Sequence, residues 1–265
     1  MIGAIVGDIA GSRFEFKNTK SKEFDLFHKR CRFTDDSVMS LAVCQALIDS
    51  MPDYENLSEN TIKSMQIIGR EYPNCGFGQH FRRWIFSDNP KPYNSYGNGS
   101  AMRVSGCGYV ANSIEEAVYL SHEVTKISHN HPEGMKGAES AAVAVYLART
   151  GKSIKNIQDY INEHYYQIDF TLDEIRETYQ YEISCQNSVP QAFEAFFESI
   201  SFEDAIRNAI SIGGDSDTIA AVTGSVAGAY YGVPNEIRNA ALEYLDDILK
   251  EILINFENKF IKSKE

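Results

Sequence analysis

The sequence predicts a mainly α-helical protein, and three observations carry that expectation. Apolar residues recur at helical rather than strand spacing along most of the chain. No Val/Ile-rich strand series alternates regularly with those segments, so a βαβ layout is not indicated. The 265 residues are 43% apolar and include 15 Phe and 15 Tyr, enough to build a sizeable core. With no clean internal repeat and no linker, residues 1–265 are expected to form a single domain.

Residues 37–48 read SVMSLAVCQALI and place Val38, Leu41, Ala42 and Ile48 on one broad helical face. A second helix is expected over 57–68, with Ser58 or Asn60 near its start. An aromatic-rich segment follows at 77–86, after which Pro90, Pro92, Gly97 and Gly99 interrupt regular structure. Helical spacing resumes over 115–124 and over 134–149, where small residues suit close packing. Gly151 can stop that helix and Ser153 can cap the next. Thr171, Leu172 and Glu174 have the form of a capping box opening a helix over 170–184.

Segments 192–197 and 202–212 are expected to be helical, as is the Ala/Gly-rich run 217–231. Gly224 and Gly228 in that run allow close backbone approach. The run is too short, and too close to carboxylates, to read as a membrane span. Pro234 suits the first turn of one last long helix carrying Ile237, Leu242, Leu245, Ile248, Leu249 and Ile252. The polar end, 257–265, is expected to fray.

Charge narrows the function. Lys+Arg total 25 and Asp+Glu 37, a net charge of -12, which gives no general attraction to nucleic acid or to an anionic membrane. No targeting segment stands out, because Asp8 interrupts the apolar start. Cys31, Cys44, Cys75, Cys107 and Cys185 are scattered and form no CxxC pair, which suits a reduced, cytoplasmic setting.

Two acidic tracts stand just before expected helices: Thr34-Asp35-Asp36 and Asp215-Ser216-Asp217-Thr218. Hard oxygen donors of this kind suit Mg²⁺. Helix capping explains one Asp at each start but does not need two carboxylates plus a threonine at both, and the two roles are compatible. Gly213-Gly214 can form a turn that aims the second tract. Tyr96-Gly97-Asn98-Gly99-Ser100 can offer backbone N–H groups to an anion or simply connect two helices, and no nucleotide-triphosphate P-loop is present. His129 and His131 form an HxH, a weak zinc signal. Asp8 and Glu15 flank Gly11 and can act on protons if a cleft receives them, or serve as caps or surface charges.

Five segments taken together resemble one family: GAIVGDIAGSRFEF, FTDDSVMSLAV, SYGNGSAMR, SHNHPEGMKGAESAA and GGDSDTIAAVTGSVAGAYYG, spread over residues 3–232. The family is that of the ADP-ribosylglycohydrolases, including dinitrogenase-reductase-activating glycohydrolase and the ADP-ribosyl-acceptor hydrolases. The resemblance implies a compact orthogonal all-α fold with a central dinuclear metal cleft, and hydrolysis of an ADP-ribose attachment at C1″. It implies two Mg²⁺, with Mn²⁺ in some relatives, held by Thr34, Asp35 and Asp36 and by Asp215, Asp217 and Thr218.

By the same resemblance Glu15 handles a proton or positions water, with Asp35 and Asp217 also in the catalytic set. Asp8, in the family's GD motif, organises the cleft. Ser95, Tyr96, Gly97, Asn98 and Gly99 receive the phosphate and ribose of ADP-ribose, and His129 faces the ligand. His131 carries less of the resemblance, and Arg103 suits packing or an ion pair as well as phosphate. The expected partner is an ADP-ribosylated protein or a small ADP-ribose conjugate, linked through arginine, serine or another oxygen. SAMRVSGCG departs from the family's usual proline-containing continuation, and residues 16–32 form a mixed-sign loop that can contact the acceptor or serve only as a mobile cover. Two other functions fit the residues: a metal-dependent hydrolase of another nucleotide-like metabolite, and a non-catalytic ADP-ribose binder. No heptad or interface motif sets an oligomeric state.

Overall fold

A computed structural model describes residues 1–261. Among these residues there are 14 α-helices and no sheet; a single antiparallel bridge joins Gly97 to Ser184. In chain order the first seven helices are α1 (Ile2–Gly11), α2 (Asp35–Asp49), α3 (Leu57–Glu71), α4 (Gln79–Ile85), α5 (Ser105–Val110), α6 (Ile114–Thr125) and α7 (Pro132–Arg149). They continue as α8 (Ile154–His164), α9 (Leu172–Ile175), α10 (Cys185–Phe197), α11 (Phe202–Ser211), α12 (Ser216–Tyr231), α13 (Asn235–Leu242) and α14 (Asp247–Phe260). A 3-10 turn spans Asn98–Ser100.

The helix α12 is the centre of the molecule. Every residue from Ser216 to Ala227 is buried, and α1, α7, α10 and α11 pack around it. The closest partner is α1, whose sequence IGAIVGDIAG has poor intrinsic helix propensity but is buried on all sides. Gly3, Gly7 and Gly11 share one face at i, i+4, i+8. A Cβ at Gly3 would collide with the Gly224 carbonyl and one at Gly7 with the Ala220 carbonyl. At Gly11 it would lie 2.5 Å from the Ser216 oxygen. The two backbones therefore touch along three turns, and tertiary packing rather than propensity makes α1 a helix.

The helices α2, α7 and α12 agree with the sequence reading, and Ser153 caps α8 by accepting from Asn156 N. Several expectations are corrected. The helix expected over 170–184 is confined to α9, although its capping box forms. Beyond it the backbone serves distant partners: the Tyr179 carbonyl accepts from Lys20 Nζ at 2.9 Å and the Ile183 carbonyl from Asn98 N at 2.8 Å. Those bonds replace the local ladder.

The last helix is two helices. Asp246 interrupts it by capping α14 through Leu249 N at 3.0 Å while its other oxygen accepts from the Tyr72 hydroxyl at 2.7 Å. Pro234 stands at the N-cap of α13 rather than inside its first turn. The helix expected to begin at 192 starts at Cys185 and runs through Pro190, which forfeits only its own N–H bond. Fraying was expected over 257–265, but α14 stays helical to Phe260; residues 262–265 lie outside the described residues.

Candidate active site

The contact between α1 and α12 brings Asp8 alongside Asp217, and α2 adds the third element. Asp8 is completely buried and accepts from four donors at the start of α2. These are Thr34 N at 2.9 Å, Thr34 Oγ1 at 2.6 Å, Ser37 N at 3.0 Å and the Ser37 hydroxyl. A carboxylate from one helix thus satisfies free N–H groups of another. The sequence reading gave Asp8 a supporting part in the cleft, and this cross-helix cap is the form that part takes.

Asp36 and Thr218 join the two acidic tracts. Thr218 Oγ1 donates to Asp36 Oδ2 at 3.2 Å, whereas Asp36 Oδ1 is buried without any hydrogen-bond partner. Oxygens of Asp8, Asp36 and Asp217 lie within 4.8 Å of one another, as do those of Glu15, Asp215 and Asp217. Asp217 belongs to both groups. Asp35 falls outside both: its amide donates to the Cys75 carbonyl at 3.1 Å, and its side chain rests against Gly76.

None of the ion pairs among the described residues reaches these six carboxylates. Their acidities record the consequence. Burial, then the charges of Asp215, Asp36, Glu15 and Asp8, pushes Asp217 well up. Burial and then the Asp8, Asp35 and Asp215 charges do the same to Asp36. Glu15 is raised to about 7 by burial and the Asp215 charge, against a smaller pull from Arg32. Asp35 is raised to about 8 by burial and the Asp8 charge. Asp215 is also raised by burial, although a hydrogen bond from Asn98 pulls it down. Concentrated carboxylate oxygens, one of them orphaned, with no basic partner, fit a hard divalent cation.

The turn before α12 aims Asp215. Gly213 and Gly214 have φ of +73° and +75°, a left-handed conformation that glycine adopts without strain. Asn18 closes on this turn from the opposite loop: its amide donates to the Gly214 carbonyl at 2.9 Å and its carbonyl accepts from Gly214 N at 2.9 Å. Lys20 Nζ adds a 2.7 Å bond to the Ile212 carbonyl. The loop carrying Glu15 is thereby tied to the turn carrying Asp215. The sequence reading missed Asn18 and Lys20, which carry no local signal.

The glycine loop meets the same centre. Asn98, buried, donates from Nδ2 to Asp215 Oδ2 at 2.8 Å. Ser95 Oγ accepts from Gly97 N at 3.2 Å, and the Tyr96 carbonyl accepts from Cys185 N at 2.9 Å. Tyr96 is half exposed and sets its ring edge-on to His131, 5.2 Å between centroids. His131 caps α7 through Glu133 N, and neither His129 nor His131 enters a metal-ligand cluster among the described residues. His129 is buried beneath Gly97 and Gly99 between the rings of Phe81 and Tyr93. Arg103 is completely buried and forms no ion pair there. At the rim, the exposed rings of Phe16 and Tyr181 lie 6.2 Å apart.

The sequence comparison decides the family, since the model of the ADP-ribosylglycohydrolases matches residues 1–263. The chain belongs to the ADP-ribosylglycohydrolase family. It is 26% identical to ADP-ribosylhydrolase ARH3 of Homo sapiens over 336 aligned positions, covering 96% of this chain and 91% of that protein. It is also 26% identical to ADP-ribosyl-[dinitrogen reductase] glycohydrolase of Rhodospirillum rubrum, over 92% of this chain and 88% of the relative. A solved structure described as an ADP-ribosylglycohydrolase-related protein complex superposes with a TM-score of 0.70 at 20% identity, covering 98% of this chain and 96% of that one. That likeness bears on the fold. Family and relatives together make this chain a glycosidic-bond hydrolase and support ADP-ribosyl hydrolase activity. Among the described residues, no helix is long and apolar enough to cross a membrane.

Proposed function

We propose that this ADP-ribosylglycohydrolase is Mg²⁺-dependent and cleaves the C1″ attachment of ADP-ribose to a protein side chain or a small O-linked acceptor. The observation that carries the reading is the pair of oxygen groups sharing Asp217, with the orphaned Asp36 oxygen beside them and Asn98 linking them to the glycine loop. Asp36, Asp215 and Asp217, with the hydroxyls of Thr34 and Thr218 beside them, are the residues to hold two Mg²⁺, or Mn²⁺ in their place; Asp35 rests against Gly76 outside both oxygen groups and would join them only by turning its side chain. Each threonine spends its proton on a carboxylate, Thr34 on Asp8 and Thr218 on Asp36; Thr34 Oγ1 also accepts from Asp36 N, and each oxygen still keeps a lone pair free. When bound, such ions stabilise oxygen charge and orient water.

The chain's own residues do the rest. The backbone of Ser95 and Gly99 and the exposed Tyr96 ring offer N–H groups and a stacking face to ADP-ribose; Gly97, whose N–H is held by Ser95 Oγ, leaves room for the ligand, with Asn98 fixing the loop and His129 beneath it. Breaking the C1″ bond develops positive charge on the ribose, and the surrounding carboxylates, Asp35 and Asp217 included, oppose that charge. Water adds to C1″ as the acceptor leaves. Glu15, at the edge of the acidic centre, takes the proton from water and passes a proton on to the departing acceptor atom, which ends the cycle with Glu15 ionised again. We assign the protein to the cytoplasm and to a single domain over 1–265; its five free cysteines support a reducing compartment.

The test is release of free ADP-ribose by the purified protein from matched arginine-linked, serine-linked and O-acetyl conjugates. Release from at least one, abolished by EDTA and restored by Mg²⁺, is the expected result. Folded, Mg²⁺-loaded protein that releases none contradicts the reading.

A further inference from the structure

Arg103 is an unusual charge. It is completely buried, yet among the described residues no carboxylate pairs with it. Its Nη2 donates to Ser128 Oγ at 2.8 Å and to the Val124 carbonyl at 3.3 Å, while Nε and Nη1 have no partner. Its guanidinium carbon lies 5.4 Å from the centre of the Phe81 ring. Burial lowers its pKa only to about 10, so it stays protonated at neutral pH.

That fixed charge sets the direction of a short chain of hydrogen bonds. Arginine donates and cannot accept, so Ser128 Oγ accepts from Arg103. The other hydrogen-bond partner of Ser128 Oγ is His129 Nδ1, at 2.9 Å. Among the described residues Ser128 Oγ has no other acceptor for its single proton, so donation to Nδ1 is the arrangement that satisfies the hydroxyl, and it makes Nδ1 the unprotonated nitrogen of the ring. Burial, reinforced by the Arg103 charge, holds the imidazole neutral. Its one proton is then on Nε2. Nε2 lies 3.7 Å and 3.5 Å from where a Cβ would stand at Gly97 and Gly99, so no side chain of those two residues screens it from the loop.

We propose that Arg103 is a positioning residue: acting through Ser128, it fixes His129 as the Nε2–H tautomer and so presents a hydrogen-bond donor to an acceptor oxygen of the ligand seated on loop 95–99. The ligand half of this inference rests on the proposed ADP-ribose reading; the tautomer half does not. The device explains why a buried cation is kept without a counter-charge. A carboxylate in its place would reverse the chain and put the proton on Nδ1.

The experiment is ¹⁵N-edited imidazole NMR on the full chain, paired with titration by free ADP-ribose. Wild type should show His129 as the neutral Nε2–H tautomer at neutral pH. Ser128→Ala and Arg103→Met should populate the Nδ1–H form, and Arg103→Lys should restore Nε2–H. Affinity for ADP-ribose should fall about tenfold in the first two variants and recover in the third. If Arg103→Met does not fold, Ser128→Ala decides alone. An Nδ1–H ring in wild type, or an unchanged tautomer in Ser128→Ala, overturns the proposal. The expected tautomers in a wild-type protein that does not bind ADP-ribose would overturn the ADP-ribose reading and leave the Arg103 relay standing.

Discussion

Asn98 donates its side-chain amide to the Asp215 carboxylate at 2.8 Å, which makes the glycine loop and the acidic centre one unit. The bond is buried and charge-assisted, the stronger kind. Asn98→Ala leaves the Asp215 oxygen without that donor and the loop without its anchor. Affinity for free ADP-ribose is expected to fall roughly 10-fold or more, with Tm lowered by about a few degrees because a buried carboxylate loses its donor. Calorimetric titration of the variant with ADP-ribose checks this, and wild-type affinity would detach the loop from the site.

Glu15→Gln keeps size and hydrogen-bonding reach but cannot take a proton. Turnover should fall by about 100-fold or more. Asp8, Asp36 and Asp217 do not depend on Glu15 for their grouping, so Mg²⁺ affinity of that group should stay within a few-fold. Steady-state kinetics and metal titration on the same preparation separate the two. Unchanged turnover would remove Glu15 from proton transfer.

The fold requires glycine at position 7. Gly7→Ala drives a Cβ into the Ala220 carbonyl, which backbone atoms cannot evade, and should cost about 1–3 kcal/mol or more in denaturant unfolding. Gly78→Ala is the control. A Cβ there meets nothing within 4 Å, and the change should lie within about 0.5 kcal/mol of wild type.

Stability without metal should depend on pH in a set direction. The folded-state pKa of Glu15 is raised to about 7 and that of Asp35 to about 8. The folded protein therefore holds protons that the unfolded chain releases, and stability falls as pH rises through 7 and 8. In EDTA, Tm should drop between pH 6 and pH 8.5. Saturating Mg²⁺ should flatten or reverse that slope, because it favours the ionised carboxylates. A Tm that rises with pH in EDTA would contradict the raised acidities.

The parts legible in the sequence are those with local causes. The periodic faces of α2, α7 and α12 and the Ser153 and Thr171 caps follow from neighbouring residues. The two acidic tracts were visible because each stands at a helix start. The glycines of α1 were not, since glycine argues against a helix and their reason is the backbone of α12, more than 200 residues away. Residues 176–184 read as helix because their carbonyl partners, Lys20 and Asn98, lie in other loops. The Asn18 clamp on Gly214 spans 196 positions and has no motif. The Arg103–Ser128–His129 chain is in the same position: its sense depends on which atom donates, and only the fold supplies that.

In the proposed reading, Asp217 is shared by two divalent-cation positions. Calorimetric titration of metal-stripped protein with Mg²⁺ tests it most directly. Wild type should bind two Mg²⁺ per chain, Asp36→Asn should keep one, and Asp217→Asn should lose both together with ADP-ribose release. Undiminished Mg²⁺ binding in folded Asp217→Asn, or no binding by wild type, would contradict the account.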